Sequence, residues 1–211
     1  MKIGILGTGV VGQALGKAFL TLGHEVKMGA REAANDKAVA WARAGGAKAS
    51  AGTFADAAAF ADIVVLCTLG VANASVLAAA GPERFRGKLV IDTTNPLDHT
   101  GGLPKLAPGE SAGELVQRIL PDAHVVKAFN TVGNALMFRP DLPGGPPDMF
   151  ICGDDAGAKK RVTELLTQFG WNTIDVGGIG VSHYLEAMCI VWVLSAMPTG
   201  AWYQAFKLLR K

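Results

Sequence analysis

Short runs of apolar residues alternate along this chain with longer segments in which apolar side chains recur every three or four positions. The longer segments have the 3.6-residue period of helices that bury one face. The short runs, such as the continuous Ile63-Val64-Val65-Leu66, are typical of strands covered on both faces. This alternation predicts an α/β fold, in which helices pack on both sides of a doubly wound, mostly parallel sheet.

The same pattern predicts where the individual elements lie. The predicted strands are Lys2–Leu6, Glu25–Met28, Asp62–Cys67, Lys88–Ile91, His124–Ala128, Asp148–Cys152 and Asn172–Val176. The predicted helices are Val11–Leu22, Lys37–Ala44, Thr53–Phe60 and Ala156–Phe169. Thr53 is followed three residues later by Asp56, which resembles a capping box at the start of its helix.

Length and turn formers predict the domain organisation. The 211 residues suit a single core, with residues 1–180 as the α/β domain and residues 181–211 as a helical appendage. The appendage is expected to form helices interrupted at Pro198-Thr199-Gly200. Proline and glycine concentrate in residues 94–114 and 140–147, and loops of this length commonly serve as lids or binding loops.

Composition excludes several classes of protein. Half of the residues are apolar, so the chain is not disordered, and a net charge of +2 without a basic cluster argues against a nucleic-acid partner. The longest apolar stretch, Ala187–Pro198, is shorter than the roughly 20 residues of a membrane span, and Met1–Leu6 does not begin a signal peptide. We therefore expect a cytoplasmic protein. Cys67, Cys152 and Cys189 lie far apart, which indicates neither a disulfide framework nor a metal site.

The strongest motif is the segment Gly7-Thr8-Gly9-Val10-Val11-Gly12, which joins the first strand to the first helix. In dinucleotide-binding folds the first glycine permits a tight turn, the second lets backbone amides approach a pyrophosphate, and the third lets the helix pack on the strand. The string is weak evidence in a chain with 27 glycines, but its position between strand and helix makes it specific. The alternative is a tight turn without a ligand.

The end of the second strand predicts which dinucleotide binds. An NAD site places an acidic residue there to accept hydrogen bonds from the ribose, whereas this strand ends in Met28-Gly29-Ala30-Arg31. A guanidinium matches a 2′-phosphate in charge and shape, so NADP(H) is favoured, with Lys37 as a second cation. The alternative is that Arg31 is a solvated loop charge.

Several segments together resemble one known family. They are Met1–Gly12, Val90–Pro96, Val125–Thr131 and the tail around Leu185–Met188. This set resembles the NADPH-dependent coenzyme F420 reductase family, and it is similar to the cytosolic oxidoreductase domain of the STEAP metalloreductases. The resemblance covers nearly the whole chain, and Val126–Thr131 is its most specific element.

The resemblance implies a function and a set of site residues. It implies hydride transfer between NADPH and a flavin-like ring, which is either the deazaflavin F420 or a flavin such as FMN or FAD. Gly7 to Gly12 would hold the pyrophosphate and Arg31 the 2′-phosphate. Thr68-Leu69 would line the nicotinamide side, whereas Asn95-Pro96 and Asn130-Thr131 would flank the two rings.

Few residues are available for acid–base catalysis. Lys127 near the end of a strand and His183 near the start of the last helical segment are weak candidates, and Lys127 could equally be structural. Ring-to-ring hydride transfer needs neither, because the cofactors carry the chemistry. Two other functions stay open: an NADP-dependent imine or carbonyl reductase that uses Lys127 or His183, and a non-catalytic NADP(H)-sensing protein.

The last thirty residues predict a partner. They are rich in apolar residues, more than one buried helix face needs: Met188, Ile190, Val191, Trp192, Leu194, Trp202, Phe206 and Leu209. A homodimer through the C-terminal helices would bury this surface. The alternative is that these side chains cover the edge of the sheet.

Overall fold

A computed structural model describes residues 1–98, 105–106 and 110–211. Its strands are β1 (Lys2–Leu6), β2 (Glu25–Ala30), β3 (Ala49–Thr53), β4 (Ile63–Leu66), β5 (Leu89–Asp92), β6 (Leu97–Asp98), β7 (Lys105–Leu106), β8 (His124–Lys127), β9 (Asp148–Gly153) and β10 (Asn172–Asp175). Its α-helices are α1 (Val10–Thr21), α2 (Asp36–Gly45), α3 (Phe54–Phe60), α4 (Asn73–Ala80), α5 (Ala112–Ile119), α6 (Ala156–Phe169) and α7 (Ser182–Ala196).

The main sheet has eight strands in the order β10-β9-β8-β5-β4-β1-β2-β3. From β3 to β8 neighbouring strands are parallel, and their order reverses beside β1, as in dinucleotide-binding sheets. β9 runs antiparallel to β8 and parallel to β10. The predicted α/β class with a mostly parallel, doubly wound sheet is confirmed.

Two hydrophobic layers cover the two faces of the sheet. Ile63 and Val65 of β4 pack in the layer that contains α1 and α6, whereas Val64 and Leu66 pack in the layer that contains α3, α4 and α5. Alternate side chains of one strand thus enter different cores, and the apolar run is continuous for this reason. The predicted capping box is confirmed, because Thr53 N–H donates to Asp56 Oδ2 at 2.8 Å and Asp56 N–H donates to Thr53 Oγ1 at 3.1 Å.

The C-terminal segment differs from its prediction. It contains one helix, α7, and residues 201–211 form neither helix nor strand. Trp192 Nε1 donates to Gln204 O at 2.9 Å, and Leu208 N–H donates to Asp148 Oδ2 at 2.6 Å. These bonds hold the tail against α7 and β9 without helical structure, so the prediction of a second terminal helix is wrong. The domain boundary at residue 180 stays a prediction, since Leu185 of α7 belongs to the same core as the sheet.

Within the residues that the structure describes, one helical stretch is long and apolar enough to cross a membrane. It spans Ile179–Ala196, has a mean hydropathy of 1.5 over 18 residues, and is 39% buried within the fold. Ala187–Pro198, considered alone, predicts no apolar stretch as long as a membrane span. The length of Ile179–Ala196 corrects this expectation. Inside the stretch, Glu186 is fully buried and its Oε1 lies 3.0 Å from Lys127 Nζ, so the helix is anchored to the body of the domain.

The two long loops are only partly accounted for. Residues 140–147 form neither helix nor strand, as expected, and Lys207 Nζ donates to Pro146 O at 3.1 Å. Within 94–114, β6 pairs with β7, and α5 begins at Ala112 after the N-cap Ser111. Residues 99–104 and 107–109 lie outside the described residues. The predicted role of this loop as a lid or binding loop therefore stays a prediction.

Candidate cofactor site

The loops that follow β1, β4, β5 and β8 touch one another along the carboxyl edge of the sheet. A Cβ added to Gly7 would lie 2.6 Å from Cys67 O, and one added to Gly70 would lie 2.4 Å from Asn95 O. Asn95 Nδ2 then donates to Asn130 O at 2.9 Å. The predicted site residues of these loops therefore form one continuous row.

The glycine turn has the geometry of a phosphate-binding loop. Gly7 has a positive φ of +124°, which favours glycine, and a Cβ at Gly12 would lie 2.3 Å from Gly7 O. At Gly9, in contrast, nothing lies within 4 Å of an added Cβ. Two glycines are thus required by the fold, whereas the middle one faces open space at the amino end of α1, where backbone amides attract anions.

A cleft of about 410 Å³ opens over this turn. Two aliphatic side chains in its lining are largely exposed, Val10 at 66% and Leu69 at 65%. Exposed aliphatic groups beside a phosphate loop suit the planar rings of a dinucleotide, so the lining fits such a ligand. The residues that line the cleft are Gly7, Thr8, Gly9, Val10, Val11, Phe54, Cys67, Thr68 and Leu69.

The two predicted cations are both exposed, and Arg31 comes directly after the strand that is bonded to the glycine turn. Gly7 N–H donates to Gly29 O at 3.1 Å, and Arg31 follows two residues later with an exposed side chain. Lys37 is exposed in the first turn of α2. Positive charge therefore stands at the end of β2, where the 2′-phosphate of NADP would have to lie.

Lys127 is not at the surface of the site. Its side chain is 0% exposed, and Nζ lies 2.7 Å from Asp92 Oδ2, 2.8 Å from Thr94 O and 3.0 Å from Glu186 Oε1. Burial alone lowers the pKa of Lys127, but the two carboxylates outweigh burial and raise it. Lys127 is therefore a charged cross-link between β5, β8 and α7, which supports its structural interpretation over a role as catalytic acid.

The residues predicted to flank the two rings are mostly buried. Pro96, Asn130 and Thr131 are buried, and only Asn95 among these four is partly exposed. Asn130 Nδ2 donates to Asn95 Oδ1 at 3.0 Å and to Leu185 O at 2.9 Å, while its own Oδ1 has no partner among the described residues. These side chains thus support the floor of the site and tie α7 to it.

The turn after β8 contains the most unusual backbone near the site. Phe129 has φ +62°, although it is neither glycine nor asparagine, and it is buried. Such left-handed residues cost about 1–3 kcal/mol and persist where the surroundings fix them. Here the fixed turn directs Asn130 towards Asn95.

His183 is exposed and lies in the first turn of α7. Its Nδ1 lies 3.0 Å from Gly180 O, and its ring centroid lies 3.8 Å from that of Tyr184. These are the contacts of a surface residue near a helix start. The acid role predicted for it stays a hypothesis.

The cysteines are free and buried. Burial raises the pKa of Cys67 and of Cys152 to about 12 and that of Cys189 to about 11, so all three thiols stay protonated at neutral pH. Within the described residues, no three His, Cys, Asp or Glu side chains are grouped to hold a metal ion.

Sequence reasoning missed three residues of the site, Phe54, Cys67 and Asn73. Phe54, the first residue of α3, lines the cleft, whereas Thr53–Phe60 was predicted only as a helix that begins with a capping box. Asn73 is fully buried and bonds to Thr68, which lies on the cleft wall. Its signal in the sequence is a polar residue that opens the apolar stretch Asn73–Ala80, and this stretch was not predicted as a helix.

The sheet order and the glycine turn define a Rossmann-type protein, with the turn geometry found in dinucleotide-binding folds. A family model described as NADP oxidoreductase, coenzyme F420-dependent, matches residues 2–96. The F420-dependent NADP reductase of Methanothermobacter thermautotrophicus is 30% identical over 88% of this chain and 85% of its own. The crystal structure of a candidate F420-dependent NADP reductase from an Arthrobacter species has a TM-score of 0.92 and 37% identity over 100% of both chains. The protein belongs to this family of NADP-dependent oxidoreductases.

Other relatives match only part of their own length. The metalloreductase STEAP3 of Rattus norvegicus is 27% identical over 89% of this chain, and this chain spans 36% of that protein. The F420-dependent NADP reductase of Methanocaldococcus jannaschii is 33% identical over 63% of this chain, which covers 61% of the relative. An imine reductase of Streptomyces aurantiacus has a TM-score of 0.69 at 20% identity over 94% of this chain and 64% of its own, which shows a shared fold alone.

Proposed function

We propose that the protein transfers hydride between NADPH and a flavin or deazaflavin acceptor, of which F420 is the first to test. The observation that carries the proposal is the contrast within the glycine turn, where Gly7 and Gly12 are packed and Gly9 faces empty space. A backbone that is open at one point beside the start of α1 suits the close approach of a pyrophosphate. NADPH supplies the hydride from its nicotinamide ring.

The chain itself supplies binding, orientation and exclusion of water. The amides at the start of α1 would bind the pyrophosphate, and Arg31 with Lys37 would bind the 2′-phosphate. Val10 and Leu69 would cover the faces of the rings and keep water away from them. The names of the two archaeal relatives support F420 as the second ring.

An imine or carbonyl reductase that uses Lys127 is less well supported. A proton donor must come within about 3 Å of its substrate, whereas Lys127 Nζ is enclosed by two carboxylates and a carbonyl oxygen. No contact of the described residues favours a purely sensory role. Hydride transfer between two rings needs no such donor.

Exchange between cofactors tests the proposal. The purified protein is mixed with NADPH and F420, FMN or FAD without oxygen, and the absorbance of both cofactors is followed. We expect NADPH to be consumed as one acceptor is reduced. The Gly9→Val variant, whose fold is checked by its unfolding midpoint, should lose this exchange. A protein that binds NADPH but reduces none of the three acceptors would contradict the proposal.

The proposal includes a homodimer in the cytoplasm. Val191 and Leu194 on α7, Met197 directly after it, and Trp202 and Tyr203 in the tail are large exposed apolar residues. A second copy of the chain would cover this surface. Light scattering of the wild type and of Val191→Asp tests it: a dimer that the charge dissociates supports the homodimer, and a wild-type monomer contradicts it.

A further inference from the structure

A chain of hydrogen bonds runs from the cleft wall into the core. Thr68 Oγ1 lies 3.2 Å from Asn73 Oδ1, and Asn73 Nδ2 lies 2.8 Å from Thr94 Oγ1. Thr94 Oγ1 in turn lies 2.7 Å from Asp92 Oδ1. Asp92 and Lys127, at the inner end, are fully buried, whereas Thr68 lines the cleft and is partly exposed.

The buried ion pair fixes the direction of every bond in this chain. The Asp92 carboxylate bonded to Lys127 can only accept, so the hydroxyl proton of Thr94 points to Asp92. The Thr94 oxygen therefore accepts from Asn73 Nδ2. This orients the Asn73 amide with its oxygen towards Thr68, and an amide oxygen can only accept. The hydroxyl proton of Thr68 must then point inwards, to Asn73.

A threonine hydroxyl has one proton, so Thr68 has no donor left for a ligand. We infer that Thr68 presents a hydrogen-bond acceptor, and no donor, to the nicotinamide-riboside half of a bound dinucleotide, and that Asn73 is the residue that positions it. This inference rests on the proposed function, because it takes the cleft to bind NADP(H). Two donors of that half could serve: the carboxamide N–H and the ribose hydroxyls.

Asn73 acts on the ligand through Thr68 and not by contact. Asn73 is 0% exposed, and its amide bridges the loop after β4 to the end of β5. Its removal frees the Thr68 hydroxyl to rotate, so that the cleft loses an oriented acceptor. A merely structural asparagine would weaken the binding of every part of the dinucleotide alike.

Four ligands separate these possibilities. NADP⁺ carries both donors, its 3-acetylpyridine analogue lacks the carboxamide N–H, 2′-phospho-ADP-ribose keeps the ribose but lacks the ring, and 2′,5′-ADP lacks both. Dissociation constants are measured by calorimetry for the wild type, Thr68→Val, Thr68→Ser and Asn73→Ala. Thr163→Val, which removes a partly buried threonine hydroxyl from α6, is the matched control.

We expect Thr68→Val to weaken NADP⁺ binding about 2- to 10-fold, the worth of one hydrogen bond, and to leave 2′,5′-ADP binding unchanged. Thr68→Ser should keep most of the wild-type affinity for NADP⁺, because it keeps the hydroxyl. If Thr68→Val loses affinity for NADP⁺ but binds the acetylpyridine analogue as tightly as the wild type does, the carboxamide is the donor. A loss that persists with 2′-phospho-ADP-ribose identifies the ribose.

Asn73→Ala should reproduce the selective loss, and adding it to Thr68→Val should cause no further selective loss. The inference would be overturned if Thr68→Val weakened the binding of 2′,5′-ADP as strongly as that of NADP⁺. It would also be overturned if Thr68→Val and Thr68→Ser lost equal affinity for NADP⁺. The two Thr68 variants decide the acceptor role even if Asn73→Ala fails to fold. If wild-type protein does not bind 2′,5′-ADP, the proposed function fails instead.

Discussion

The carboxyl edge of the sheet has two halves, which differ in whether their polar groups are exposed or buried. The open half comprises residues 7–12, Arg31 and Thr68-Leu69; residues 7–11 and Thr68-Leu69 line a cleft, and Arg31 is exposed. In the closed half, which comprises Asp92, Lys127, Asn130 and Glu186, polar side chains are buried and bonded mainly to one another. In the proposed function the open half meets the ligand, whereas the ion pairs of the closed half join β5, β8 and α7.

The largest expected effect comes from breaking the closed half. Lys127→Met leaves two buried carboxylates without their cation, and we expect the free energy of unfolding to fall by about 3–5 kcal/mol. Urea unfolding measures it. Lys159→Met is the matched control, because its partner Asp175 is about half exposed and a partly exposed pair is worth less than about 1 kcal/mol. Equal losses in the two variants would show that the buried network has no special role.

The glycine turn allows a packed position and an open position to be compared within one loop. Gly12→Ala forces a Cβ against Gly7 O and should cost about 1–3 kcal/mol of stability. Gly9→Ala meets no neighbour and, as an N-cap, should cost less than about 1 kcal/mol. Gly9→Ala should nevertheless weaken NADPH binding about tenfold or more, since its Cβ enters the space of the pyrophosphate. Unfolding curves and NADPH titrations check both, and a Gly9→Ala protein with unchanged NADPH affinity would contradict the assignment.

A smaller effect concerns the dependence of stability on pH. Burial raises the pKa of Glu186, although Lys127 opposes this. A carboxyl whose pKa is raised on folding stabilises the protein below its ordinary pKa, here 4.5, and this contribution is lost as the pH rises through the folded value. Glu186→Gln should remove that slope, which is at most about 1.4 kcal/mol per pH unit. The slope is read from unfolding free energies measured as the pH rises above 4.5, the ordinary pKa of a glutamate. Glu164→Gln on the exposed face of α6 is the control, and identical slopes in the wild type and Glu186→Gln would refute the prediction.

Much of the fold could be predicted because its strands are buried on both faces and its helices on one. The predicted helix Ala156–Phe169 agrees with α6 at both ends. β3 was missed because Ala49–Thr53 consists of small residues without an apolar run. α5 was missed because it begins inside a segment rich in proline and glycine, although Ser111 and Glu114 form a capping box. The tail was predicted as a helix because its composition does not record its bonds to Trp192 and Asp148.

The candidate site was predicted as a single group of residues, and its division into halves was not. The glycine turn and Arg31 have local signals, since one follows from a spacing and the other from its place at the end of a strand. The roles of Lys127 and Asn73 depend on partners at distant positions, Lys127 on Glu186 and Asn73 on Thr94. The sequence alone does not distinguish a buried lysine from an exposed one, because burial depends on the fold.

The preference for NADPH over NADH tests the central claim most directly, namely that the open half binds NADP(H) with Arg31 at the 2′-phosphate. We expect the wild type to bind NADPH about 10- to 100-fold more tightly, the worth of a charge-assisted contact. Arg31→Glu should bring that ratio to one or below, whereas Arg43→Glu, an equal charge change in the last turn of α2, should leave it unchanged. A ratio that Arg31→Glu does not alter would show that the phosphate is bound elsewhere.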